Sequence, residues 1–180
     1  MGIPNRLRAA LLLTLLLFAG SAGAGELSAI INGKSFHLDA AEHWNEDNRG
    51  IGVEYEFSSP SRWRTVVMAN AFRDSTDAMS YMAGGGLHRN LFATDRLHGL
   101  YLNVGVNAFL MTRRDVNDNR PFPGVLPSMT VGNRYVGVNL AYLPRKAVEQ
   151  IYNQHMQDDS MRGIVFLQLK VGVGALFGSD

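Results

Sequence analysis

The sequence predicts an all-β protein, an eight-stranded antiparallel β-barrel that crosses the bacterial outer membrane. Three observations carry this. Apolar and polar or small side chains alternate with period two over long stretches. Eight such segments reach the roughly 9–11 residues that a tilted membrane strand needs. The connections between them alternate between short and long, as periplasmic turns and outer loops do.

The chain opens on what reads as a leader. Arg6 and Arg8 precede the apolar run Ala9–Phe18, and Ala22-Gly23-Ala24 supplies a small-residue cleavage site, the three-part layout of a secretory signal peptide. That run is too short to cross about 30 Å of hydrocarbon as a helix, which argues against an anchor. Residues 1–24 are expected to be removed and residues 25–180 to form the barrel domain. The remaining 156 residues carry 15 basic and 16 acidic side chains, a balance that calls for no nucleic acid. There is no cysteine, so stability comes from something other than disulfides. The five histidines are scattered, and no metal site or cofactor is expected.

Strands are expected near 27–37, 50–58, 63–73, 79–89, 97–112, 124–133, 134–143 and 162–174. Over 50–57, Ile51, Val53, Tyr55 and Phe57 share one face, opposite Gly50, Gly52, Glu54 and Glu56. Over 100–112, Leu100 to Leu110 by twos oppose Tyr101 to Met111 by twos. Segments 38–49, 112–124 and 144–162 read as long polar outer loops, and 58–62, 90–96 and 132–134 as short turns. A soluble β-sandwich would also alternate. Its exposed face would carry charge, whereas the polar face here is rich in Gly, Asn and Glu, and closure satisfies every backbone group that lipid would leave unpaired.

An eight-stranded barrel encloses just enough room for side chains or one slim ligand. With the first strand running outward, Glu54, Glu56, Tyr101, Asn103, Gln168 and Lys170 fall in the inner half. Lys170 there must pair with Glu54 or Glu56. The outer half receives Met82, Phe109, Met111, Leu143, Phe166 and the run Gly84-Gly85-Gly86. This apolar, glycine-lined slot suits a single acyl chain, and side chains that merely fill the barrel would give the same pattern. Arg49, Arg73, Arg113, Arg114, Arg120, Arg145, Lys146 and Arg162 lie at outer strand ends or loops. They suit phosphorylated lipid, or simply a charged outer surface.

Ala71-Phe72-Arg73-Asp74-Ser75 followed by Ala83-Gly84-Gly85-Gly86 resembles the third and fourth strands of the lipid A palmitoyltransferase (PagP) family. The block Thr112-Arg113-Arg114-Asp115, then Pro121 to Pro127, Val131-Gly132 and Tyr142-Leu143-Pro144 is similar to its third outer loop and sixth and seventh strands. The resemblance covers roughly residues 63–144. It implies an eight-stranded barrel that moves a palmitoyl chain from a glycerophospholipid to lipid A in the outer membrane of a Gram-negative bacterium, working as a monomer. By position, Asp74 and Ser75 match the family's catalytic Asp-Ser, and Gly86 matches the glycine at the floor of the acyl pocket. Pro127 and Pro144 match prolines on the sixth and seventh strands. Proline cannot donate to a ladder, so these two would open a lateral gap for a lipid tail. The family's histidine corresponds to His37 or His43, and His37 is preferred because a strand end is held more rigidly than a loop.

The sequence also departs from the family. Thr76 replaces the aromatic expected after Asp-Ser, no proline lies between Gly25 and Phe57, and cleavage after Ala24 leaves no room for an amphipathic helix before the first strand. The reading that follows is a phospholipid:lipid A acyltransferase. In it His37 is the base, Asp74 fixes the histidine's tautomer, and Ser75 is either nucleophile or oxyanion donor. A non-catalytic barrel, such as an adhesin or surface-protection protein, and a lipid A deacylase are the alternatives.

Overall fold

A computed structural model describes residues 25–41, 43–152 and 160–174; the leader read over residues 1–24 lies outside them. Eight strands run in chain order around one closed sheet: β1 Glu26–Leu38, β2 Asp47–Glu56, β3 Trp63–Arg73, β4 Met79–Ala93, β5 Tyr101–Met111, β6 Phe122–Gly132, β7 Val136–Pro144 and β8 Gly163–Gly172. Every neighbouring pair is antiparallel, and β8 closes onto β1. Closure removes the sheet edges that a sandwich would retain, so the sandwich alternative is excluded.

The period-two pattern sets the two faces. Outward residues are apolar and exposed, among them Ile51, Leu110 and Val125 at 74%, 58% and 63%. Many inward residues are polar, including buried Ser28, Asn32, Glu54, Asn70, His88, Asn103 and Lys170. The barrel is thus apolar outside, with polar side chains buried within beside the apolar residues of its outer half. Among the described residues no helix is long and apolar enough to cross a membrane, so any crossing belongs to the strands.

The inner charges pair as expected. Lys170 Nζ lies 2.9 Å from Glu54 Oε1 and 3.6 Å from Glu56 Oε2. Arg64 adds a second cation 3.5 Å from Glu56. Deep in a barrel each partner is costly alone, and the cluster is stable only as a set.

β4 runs on to Ala93, and Arg96–His98 forms a 3-10 turn where a strand was expected from residue 97, so β5 begins only at Tyr101. Two further departures from the strand-and-loop expectation shape the rim. Segment 144–162 is not all loop, because an α-helix, α1, occupies Arg145–Tyr152 directly after Pro144. An i,i+4 pair between Arg145 and Glu149 at 2.8 Å supports it, and Val148 buries against Met161 and Ile164. The second departure is a bulge in β1. Asn32 pairs with Gln168 and Lys34 with Leu167, leaving Gly33 extra. Unbroken alternation from Ser28, Ile30 and Asn32 would turn Phe36 inward and His37 outward. The extra residue reverses that: Ser35 is fully buried, Phe36 is 41% exposed, and the His37 side chain turns in.

Candidate active site

His37 and Ser75 stand 38 residues apart in sequence, and the fold brings them together at the rim. The loop between β1 and β2 is tied to the loop between β3 and β4 by two hydrogen bonds from Asn45, and a third joins the start of β2 to the end of β3. Asn45 N–H donates to the Ser75 carbonyl at 3.1 Å, Asn45 Nδ2 to the Asp74 carbonyl at 3.0 Å, and Asn48 Nδ2 to the Arg73 carbonyl at 2.9 Å. With the loops held, His37 Nε2 lies 3.1 Å from Ser75 Oγ. His43, the other candidate, is exposed in the loop.

Asp74 sits beside this pair without joining it. Its Oδ1 accepts from Thr76 N–H at 2.9 Å, Thr76 Oγ1 at 2.7 Å and Ala78 N–H at 3.2 Å, and its Oδ2 accepts from Ser80 Oγ at 2.7 Å. Among the described residues no hydrogen bond joins Asp74 to His37, so the expectation that Asp74 fixes the histidine's tautomer is corrected. The carboxylate is spent on the turn that presents Ser75. Thr76, where an aromatic was expected, contributes two of its four bonds. Burial pushes the Asp74 pKa up, but the bonds from Thr76 and Ser80 and the Arg113 guanidinium outweigh it and hold the group below its ordinary 3.8. The native value lies below the unfolded one, so the order this group gives the loop is complete above about pH 4 and is lost as pH falls through the native value.

The carboxylate that faces the histidine is Glu46. Its Oε1 accepts the His37 backbone N–H at 3.1 Å and lies 3.7 Å from Nδ1, while the Glu46 carbonyl accepts Ser35 N–H at 3.0 Å. Trp44 stacks on the imidazole, with centroids 5.5 Å apart and planes 16° apart. Neither Glu46 nor Trp44 was found from sequence. Their roles depend on how the first loop folds back, and the only local signal was their place between two strand segments.

Below the pair lies the slot. A cavity of about 620 Å³ is lined by His37, Ser75, Phe109, Leu126, Leu143 and Phe166, among others, and roofed by Val148 and Met161 at α1. A smaller space of about 90 Å³ adjoins it deeper in the barrel, against Met68, Met82 and Asn107. Of the apolar residues expected to line the outer half, Met82, Phe109, Met111, Leu143 and Phe166 do so. The wall is incomplete on one side. The β6–β7 ladder runs only from Gly132↔Gly137 to Ser128↔Ala141, stopping at Pro127, although β6 begins at Phe122 and β7 ends at Pro144. The cavity is bounded there by outward Pro123 and Val125 as well as inward Leu126. The two prolines therefore flank an unpaired stretch of wall. Gly86 faces inward on β4, and a β-carbon on it would collide with Asn107 Oδ1.

Fold and site together define a small closed β-barrel built around an apolar, single-chain slot, with a histidine–serine pair at its mouth. The chain belongs to the PagP family, whose model, described as antimicrobial peptide resistance and lipid A acylation protein PagP, matches residues 28–156. It is similar to the lipid A acyltransferase PagP of Methylobacillus flagellatus, 33% identical over 111 residues that cover 61% of this chain and 58% of that protein. It is also similar to the lipid A acyltransferase PagP of Bordetella pertussis and of Bordetella bronchiseptica. Each of these is 28% identical over 116 residues, 63% of this chain and 60% of theirs. The match thus spans less than two thirds of the length of these relatives.

Proposed function

We propose that this protein transfers an acyl chain, palmitoyl by preference, from a glycerophospholipid to a hydroxyl of lipid A in the bacterial outer membrane. The observation that carries the proposal is His37 Nε2 at 3.1 Å from Ser75 Oγ, at the mouth of a slot that opens sideways between β6 and β7. An exposed apolar belt around polar contents supports the membrane location, since only in lipid is that arrangement favourable. The family and the names of the relatives support the acceptor.

The slot holds the acyl chain and brings its ester to the rim. His37 Nε2 takes a proton, either from the lipid A hydroxyl directly or from Ser75 Oγ. On the first route the lipid A oxygen attacks the ester carbonyl while Ser75 O–H hydrogen-bonds the oxyanion. On the second, Ser75 attacks and forms an acyl-serine; the lipid A hydroxyl then gives its proton to His37 and attacks that ester, and Ser75 Oγ leaves and takes the proton back. On both routes the phospholipid ester C–O bond breaks and the lysophospholipid oxygen leaves with the proton held by His37, so that the net change is one ester lost and one formed. The 3.1 Å contact is the proton path of the second route; on the first, the Ser75 O–H turns from Nε2 to the oxyanion and leaves Nε2 to the lipid A hydroxyl.

The imidazole must keep Nε2 free of its proton, which places the proton on Nδ1, toward Glu46. Glu46→Gln is expected to lower kcat by roughly tenfold to a hundredfold with little change in KM, because it weakens the base without touching the slot. Steady-state kinetics on the two forms checks this, and an unchanged kcat contradicts it. The overall proposal is tested with purified protein in detergent, given palmitoyl phospholipid and lipid A. Acylated lipid A and lysophospholipid in equal amounts support it. Lysophospholipid with free fatty acid, or lipid A that loses a chain, overturns it.

A further inference from the structure

A depression of about 660 Å³ lies at the outer end of β7 and β8, against Pro144, Arg145, Lys146, Ser160, Met161 and Arg162. Its charged lining is wholly basic. Lys146 is exposed. Arg145 turns to Glu149 at 2.8 Å and Arg162 to Asp39 at 3.0 Å, but neither carboxylate lines the depression. The Arg162–Asp39 pair is open to water on both sides, 81% and 59% exposed, so it is weak and readily exchanged. The backbone beneath is fixed. Arg162 N–H donates to the Leu38 carbonyl at 2.9 Å, and the Arg162 carbonyl accepts from Arg145 N–H at 3.1 Å and Tyr142 Oη at 3.3 Å. Two of the three cations also stand where a helix resists them. Arg145 and Lys146 open α1, and its first turn has no acidic residue. The positive end of the helix dipole repels both, a cost to stability that a bound anion relieves.

We propose that this depression binds the phosphodiester of the donor glycerophospholipid, with Lys146 and Arg162 as its main contacts. The proposal rests on the acyl-transfer reading and adds a head-group site to it. Position argues for the donor. Pro144 walls the depression and also flanks the unpaired stretch between β6 and β7 through which, on that reading, the tail enters. Met161, 1% exposed, faces the depression on one side and the slot on the other. A lipid whose tail fills the slot therefore carries its phosphate to the basic rim while its ester stays at the mouth. The guanidinium fork of Arg162 matches phosphate geometry, and the Lys146 ammonium supplies a second charge on a flexible stem. Lipid A phosphates offer the same chemistry, but without a tail in the slot nothing directs them to Pro144.

The test compares two donors to lipid A in detergent: dipalmitoyl phosphatidylglycerol, and dipalmitoyl glycerol, which has the same chains and no phosphate. The unaltered protein is expected to favour the phospholipid by about tenfold in kcat/KM, through KM. In the double variant Lys146→Gln, Arg162→Gln that preference is expected to fall below about twofold. Its kcat and its KM for lipid A stay unchanged, because His37 and Ser75 are untouched. Lys146→Arg with Arg162→Lys keeps both charges and is expected to keep the preference. Heat-modifiable gel migration reports closure. Where the double variant does not close, Lys146→Gln alone decides, with a loss of about threefold. An unaltered protein without the preference, or a closed Gln variant that keeps all of it, overturns the inference. So does a rise in the KM for lipid A with the donor KM unchanged, which would give the site to the acceptor. Absence of transfer by the unaltered protein would instead overturn the acyl-transfer reading, so the two failures are distinct.

Discussion

Ser75→Ala and His37→Ala are each expected to reduce acyl transfer by at least about a hundredfold while the barrel still closes. The two side chains meet at 3.1 Å at the rim, and neither belongs to the interior networks that join the strands. Removing a hydroxyl from Ser75 leaves the Asp74 turn intact, because the four bonds to that carboxylate come from Thr76, Ala78 and Ser80. Removing the imidazole takes the stacked ring away from Trp44 but leaves the backbone N–H of residue 37 on Glu46 and the β1–β8 ladder complete. Heat-modifiable gel migration reports closure, and transfer from labelled phospholipid reports activity. Native activity in either folded variant would remove that residue from the reaction, and for His37 it would turn attention to His43.

Gly86→Met is the second large effect, and it acts on the product rather than the rate. From Ser80, whose hydroxyl holds Asp74 at the rim, to Gly86 is six residues, about 20 Å along the strand. A side chain at Gly86 collides first with Asn107 Oδ1, which is held 2.8 Å from His88 Nε2, and then with that imidazole and the Val106 carbonyl. The amide must give way, and the methionine takes space at the bottom of the slot. A close-packed interior has no other slack. The slot shortens by several methylenes, and the transferred group is expected to change from palmitoyl to a shorter chain while His37 and Ser75 keep their contact. Phospholipid donors of graded chain length, with the transferred group read by mass, give the answer. Continued preference for palmitoyl would place the floor away from β4 and β5.

The strands were legible because each carries its own period-two signal, and six to a dozen residues suffice to read it. What escaped was of two kinds. Helix α1 is amphipathic in its own sequence but only eight residues long. Two turns directly after Pro144, amid polar residues, are too short to stand out from a loop. The bulge at Gly33 did leave a trace, since an isolated glycine in an alternating strand is a bulge signal. Its consequence was hidden, because counting by twos from Ser28 turns His37 toward lipid. His37 was preferred for its place at a strand end, and the bulge is what points it inward. Site residues that act through the fold were harder still. Glu46 faces His37 because Asn45 ties two loops together, and Asn107 covers Gly86 because β4 and β5 fall in that register. Neither relation has a spacing in sequence. Asp74 shows the opposite error: adjacency to Ser75 suggested a partner for the histidine, and its hydrogen bonds go to its own turn.

The most direct measurement is the mass of lipid A from outer membranes of cells with the intact chain, with its Ser75→Ala form, and without it. The account predicts one added palmitoyl group in the first case only, with both forms present in the membrane at equal amounts. A lipid A that loses an acyl chain, or one identical in all three, would contradict it.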